Sequence, residues 1–133
     1  MAINKAYQTY QNNAVNTASG GELTLMLYNG CIKFIKQAMN NIENNQIEEK
    51  NKHIQKAQSI IQELMLTLNQ EVEISQQMLP LYEYMNYQLT EGNIKNDVSH
   101  LEEALHFATE FRDTWKQVLQ QTRQKEHTQG AQV

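Results

Sequence analysis

The chain has 133 residues, and eleven Lys and Arg against fifteen Asp and Glu give a net charge of −4 with no long block of either sign. That balance excludes a phosphate-tracking surface, so no nucleic-acid partner is expected. The length suits one domain that buries about two thirds of its unfolded surface without metals or disulfides. The lone cysteine, Cys31, rules out an internal disulfide framework and fits a reducing cytosol.

Residues 1–18 contain no apolar run, so neither a signal peptide nor a membrane-inserting segment is expected, and a cytoplasmic protein is. Ile3, Tyr7, Tyr10 and Ala14 recur at helical spacing. A helix this short is marginal unless it lies on something. The two tyrosines, each an apolar ring with a polar tip, point to a docking cap.

The first long helix is predicted over 19–42. Ser19 and Glu22 have the spacing of a capping box, in which hydroxyl and carboxylate each serve a backbone N–H of the first turn. Leu27, Tyr28, Cys31, Ile32, Phe34, Ile35, Ala38, Met39 and Ile42 fall on one arc. That arc is about 160° wide, where a helix facing a single core needs about 100°. The surplus is expected to be free for a partner.

A polar turn at 43–46 leads to a second helix, predicted over 47–69. Its stripe of Ile47, Ile54, Ala57, Ile61, Leu64 and Leu68 is close to a heptad seam. Pro80, the single proline, predicts a third helix that begins between Ser75 and Leu79 or kinks there. Tyr82, Met85 and Leu89 should face inward, Tyr84 and Tyr87 sit on neighbouring faces, and Gly92 reads as a stop signal. The fourth helix should start with Asn96 or Asp97 as cap and run to about Arg123. Val98, Leu101, Ala104, Leu105, Phe107, Ala108, Phe111, Trp115, Val118 and Leu119 share one side of it. Residues 124–133 have nothing to pack and read as a frayed, disordered tail.

Four amphipathic helices with short connections and no strand pattern predict an all-α, antiparallel up-down four-helix bundle over 19–123. Chemistry is sparse. Glu103 and His106 have half the spacing of a di-iron site, without a second copy. His53 and Lys56 resemble the acceptor motif of phosphotransfer bundles, but Ala57 stands where those proteins carry glycine. No nucleophile with its base and no phosphate loop is present, so no enzyme activity, metal or cofactor is expected. Cys31 reads as a buried small hydrophobe. Wide apolar arcs, six tyrosines and six methionines point instead to a protein that takes a partner helix into a groove.

The run Thr17 to Gly30 resembles the signature of the bacterial flagellin export chaperone family, FliS. So do Tyr7 and Tyr10 ahead of it, Lys56 to Leu64, Leu81 to Met85, Asn93 to Asp97 and Phe111 to Trp115. These matches keep their order across nearly the whole chain. The resemblance implies a bundle that binds the disordered C-terminal region of flagellin, prevents its premature polymerisation and delivers it to a flagellar type III export gate component. It implies Tyr7 and Tyr10 as the cap, and Leu23, Met26, Leu27, Tyr28 and Ile35 as client-facing or adjacent positions. Other flagellar proteins as clients stay open. So do two rival readings, a phosphotransfer module acting through His53 and a client-free homodimer. Gly20 and Gly21 stand where the family carries proline and a variable residue, which should loosen the entry to the first helix.

Overall fold

The computed structural model describes residues 20–69 and 73–131, with side chains as far as residue 123. Four helices form an all-α up-down bundle: α1 (Gly20–Glu43), α2 (Ile47–Thr67), α3 (Glu73–Lys95) and α4 (Val98–Ala131). Each packs against two neighbours in the ring α1–α2–α3–α4, with α1 against α2 the most extensive pairing. Ser19, one half of the predicted capping box, lies outside the described residues, as do Tyr7 and Tyr10. The Glu22 carboxylate accepts a hydrogen bond from Arg123 of α4.

Asparagine closes two of the helices. Asn45 and Asn96 both take left-handed backbone, with φ of 57° and 52°. Beyond each, an N–H reaches back to a carbonyl five residues earlier, Gln46 to Asn41 at 2.8 Å and Asp97 to Gly92 at 3.2 Å. This is the Schellman closure, and asparagine, after glycine, is the residue that tolerates it best. Asp97 then caps α4, its Oδ1 accepting from the Ser99 N–H at 2.9 Å.

The core is Leu27, Tyr28, Cys31, Ile32, Ile35 and Ala38 from α1, Ile54, Ala57, Ile60, Ile61 and Leu64 from α2, Tyr82, Met85 and Leu89 from α3, and Leu101, Ala104 and Ala108 from α4. Complete burial pushes the Cys31 thiol up to about 12, which leaves it inert at neutral pH.

Four expectations are corrected. The third helix begins at Glu73 and continues through Pro80, which sits in its early turns on an exposed side, where the ring meets solvent and not a packed helix. Gly92 does not stop that helix but lies buried inside it, because a Cβ there would come within 2.8 Å of Leu101 Cδ2 and 3.3 Å of the Asp97 carbonyl. Ile47, at the edge of the α2 stripe, is 44% exposed, while Lys50, a charged residue within the arc of that stripe, is buried. The Lys50 ammonium donates to the Asn93 carbonyl at 2.9 Å and to Asn96 Oδ1, tying α2 to the C-terminus of α3. Its burial lowers its pKa from the usual lysine range. Finally, α4 runs past Arg123 to Ala131, a stretch whose Gln, Lys and Glu are good helix formers.

Candidate functional site: an apolar surface on α3 and α4

Most of the apolar arc read on α1 is covered, with Phe34, Met39 and Ile42 half-buried at its edges. Because α1 packs against both α2 and α4, Leu27, Tyr28 and Ile35 are at most 3% exposed and belong to the core. Leu23 and Met26 are half-buried. Cap and candidate site are therefore distributed over three environments: Tyr7 and Tyr10 outside the described residues, Leu23 and Met26 at the surface, and Leu27, Tyr28 and Ile35 inside.

The free apolar surface is on α3. Among the described residues, five of the eight most exposed large apolar side chains belong to this helix: Ile74, Leu81, Tyr84, Tyr87 and Ile94. They wind across the outward side of the helix, from Ile74 and Leu81 next to the inward row of Tyr82, Met85 and Leu89 to Tyr87 and Ile94 on the far side. A helix that is apolar on two sides has more to bury than its own bundle takes. That second apolar side was present in the sequence, but nothing there ranks one helix's surplus above another's.

Toward α4 this side joins an aromatic ladder that climbs from the core. Tyr82 meets Phe111 edge-on at 5.7 Å between centroids, and Phe111 lies 6.2 Å from Phe107. Phe107 in turn meets Tyr84 edge-on at 5.6 Å. Such pairs hold rings in defined orientations, so the surface aromatics are positioned by buried ones. Polar contacts fix the same seam. His100 Nδ1 donates to Gln88 Oε1 at 2.7 Å, and Gln88 Nε2 donates to the Tyr84 hydroxyl at 2.9 Å. That hydroxyl donates to Glu103 Oε1 at 3.3 Å. Glu103 thus serves a tyrosine, and His106 lies 3.2 Å from Glu110.

At the end of the bundle where α1 begins, Trp115 Nε1–H donates to the Gly21 carbonyl at 2.7 Å. A Cβ on Gly21 would meet Leu119 Cδ2 at 2.6 Å, whereas one on Gly20 would meet nothing within 4 Å. Gly21 therefore permits close approach of α4, beyond any loosening of the helix entry.

His53 is held in one orientation and one tautomer, with Nε2 as its basic nitrogen. Asn41 Nδ2 donates to Gln46 Oε1 at 2.8 Å, which turns Asn41 Oδ1 toward His53 Nδ1 at 2.6 Å. Burial first, then the Lys56 charge, lower the histidine from its usual range. Among the described residues no group of three or more His, Cys, Asp and Glu is placed to hold a metal ion, and no helix is long and apolar enough to cross a membrane.

Comparison with known proteins agrees with this geometry. The family described as flagellar protein FliS matches residues 3–122. The chain is 52% identical over 130 residues to the flagellar secretion chaperone FliS of Bacillus subtilis, covering 98% of each chain. It is 33% identical over 110 residues to the protein of the same name from Escherichia coli, covering 80% of this chain and 81% of that one. A crystal structure of a bacterial flagellar chaperone superposes with a TM-score of 0.71 at 18% identity, over 88% of this chain and 97% of that one, a likeness of fold. A match over most of the chain, with half of its residues identical to one relative, leaves one assignment: the chain belongs to the FliS family of flagellar secretion chaperones.

Proposed function

We propose that this non-catalytic chaperone binds the C-terminal disordered region of flagellin, keeps it from polymerising prematurely and delivers it to the flagellar type III export apparatus. The observation that carries the reading is the exposed apolar side of α3 running into the Tyr84–Phe107–Phe111 ladder. A disordered client loses conformational entropy when it orders, so it needs long apolar contact for compensation. A bundle with one doubly apolar helix offers that contact along its length. The client enters as amphipathic helix, its apolar face on Leu81, Tyr84 and Phe107. The segment bearing Tyr7 and Tyr10 covers client surface when the chaperone is empty, and flagellin displaces it. Leu23 and Met26 add to the surface, while Leu27, Tyr28 and Ile35 support it from beneath. The family assignment favours this reading over the phosphotransfer alternative.

Calorimetric titration with the C-terminal region of the host's flagellin, with circular dichroism alongside, tests this. One-to-one binding, a negative heat-capacity change and a gain in helix are expected. The double substitution Leu81→Ser, Tyr84→Ser should weaken binding about tenfold or more with little change in melting temperature. Absence of heat and of new helix, even after removal of the Tyr7–Tyr10 segment, would sink the proposal.

A further inference from the structure

On the opposite side of the ring, α1 and α2 present a different surface. The half-buried Phe34 ring packs on the core and stacks on His53, with centroids 6.3 Å apart and planes 18° from parallel. Two ammonium groups converge on it, Lys33 at 5.7 Å from the ring centroid and Lys56 at 5.3 Å. Among the described residues neither lysine pairs with a carboxylate. Lys52 stands nearby, 3.7 Å from Glu49, the acidic group among the described residues that acts on His53. A cation on an aromatic face is worth about 0.5–1 kcal/mol when exposed, so the ring partly offsets the repulsion between like charges. It does not neutralise them.

We infer that Lys33, Phe34, Lys56 and His53 form a docking site for an acidic segment of a partner protein, with carboxylates on the two ammonium groups and an apolar side chain on the Phe34 ring. Charge complementarity selects this occupant. Nucleic acid is disfavoured because a net charge of −4 repels an extended phosphate backbone outside this small cluster. A second copy of the chain offers an acidic face on α3, where Glu73, Glu83 and Glu91 stand against Lys95. That contact would be head-to-tail, giving rings or filaments and not a symmetric dimer. The site goes beyond the flagellin reading and is independent of it, since the α1–α2 face and the α3–α4 face point in opposite directions. A client and an acidic partner can therefore be held together.

His53 supplies a built-in reporter. Its Nδ1–H is held by Asn41, and the charges around it are Lys52, Lys56 and Glu49 of α2 and Lys33 of α1. A carboxylate seated between the lysines opposes their effect, so His53 should take up a proton more readily in the complex.

The test is NMR titration of the full chain with a short peptide of glutamate and aspartate around a central leucine, against the same peptide with glutamine and asparagine. Shifts should map to amides near Lys33 and Lys56, and the acidic peptide should bind about tenfold or more tightly than the neutral one. Lys33→Glu, Lys56→Glu should abolish that preference with the melting temperature kept, and the peptide should raise the pH midpoint of the His53 ring signals. Equal binding of the neutral peptide, shifts on α3 and α4, or an unmoved His53 midpoint would each overturn the inference. So would displacement of the peptide by single-stranded DNA at physiological salt, or a salt-sensitive dimer of the free protein that uses these lysines.

Discussion

The hydroxyl of Tyr28 on α1 lies 2.6 Å from the hydroxyl of Tyr82 on α3, joining helices that stand diagonally across the bundle. Both side chains are buried, at 3% and 1% exposure, and burial raises both phenols above the ordinary tyrosine range. Phe111 closes over the pair, 6.1 Å from Tyr28 and 5.7 Å from Tyr82. The polar link in the middle of the core is thus also the inner end of the ladder that rises to the proposed client surface.

Each hydroxyl has the other as its partner, so removing one strands the other. Tyr28→Phe and Tyr82→Phe should each lower stability by about 1–3 kcal/mol, and the double substitution by clearly less than their sum. Urea denaturation of the four proteins reads the cycle. Additive losses would mean that the two hydroxyls do not depend on each other.

The glycines separate open space from close approach. Gly92→Ala forces a Cβ against Leu101 and the Asp97 carbonyl, and should cost about 1–3 kcal/mol as overpacking. Gly20→Ala meets nothing and should gain up to about 0.5–1 kcal/mol by restricting the unfolded chain. Gly21→Ala should gain less than Gly20→Ala, since Leu119 must turn aside first. Thermal melts rank the three. A Gly92→Ala protein as stable as the parent would show that α3 and α4 do not need this approach.

Cys31 makes stability depend on alkaline pH. Its pKa is raised from an ordinary 9.0 to about 12 in the folded protein, so above pH 9 the unfolded chain releases a proton that the folded chain keeps. The contribution is whole below pH 9 and is lost as pH rises toward 12, with a slope of up to about 1.4 kcal/mol per pH unit. Lys50, with its lowered pKa, acts in the opposite sense, so the comparison needs a reference lacking only the thiol. Cys31→Ala should be less stable at neutral pH, through the cavity it leaves, but should lose stability more slowly above pH 9. Parallel curves for the two proteins would show that the thiol is not protected by burial.

Much of the molecule was legible in its residues. The stripes of the four helices, the inward set of Tyr82, Met85 and Leu89, and Asp97 as a cap follow from periodicity and from the chemistry of helix ends. The family was legible too, in motifs that keep their order from Tyr7 to Trp115. What the sequence by itself determined is therefore the number of helices and the side of each that avoids water. What only the tertiary structure decided is which apolar sides are used up. Angular position places a side chain around its own helix axis, but not how extensively its neighbours pack on that axis. Each helix has two neighbours, but those of α1 pack on it more extensively than those of α3, so Leu27, Tyr28 and Ile35 became core, while α3 kept Leu81, Tyr84 and Tyr87 at its surface. Tertiary structure also decided what Lys50 does on the inward arc of α2, where its ammonium meets the end of α3 at Asn93 and Asn96, and made Gly92, a helix breaker by habit, a helix contact because Leu101 stands beside it.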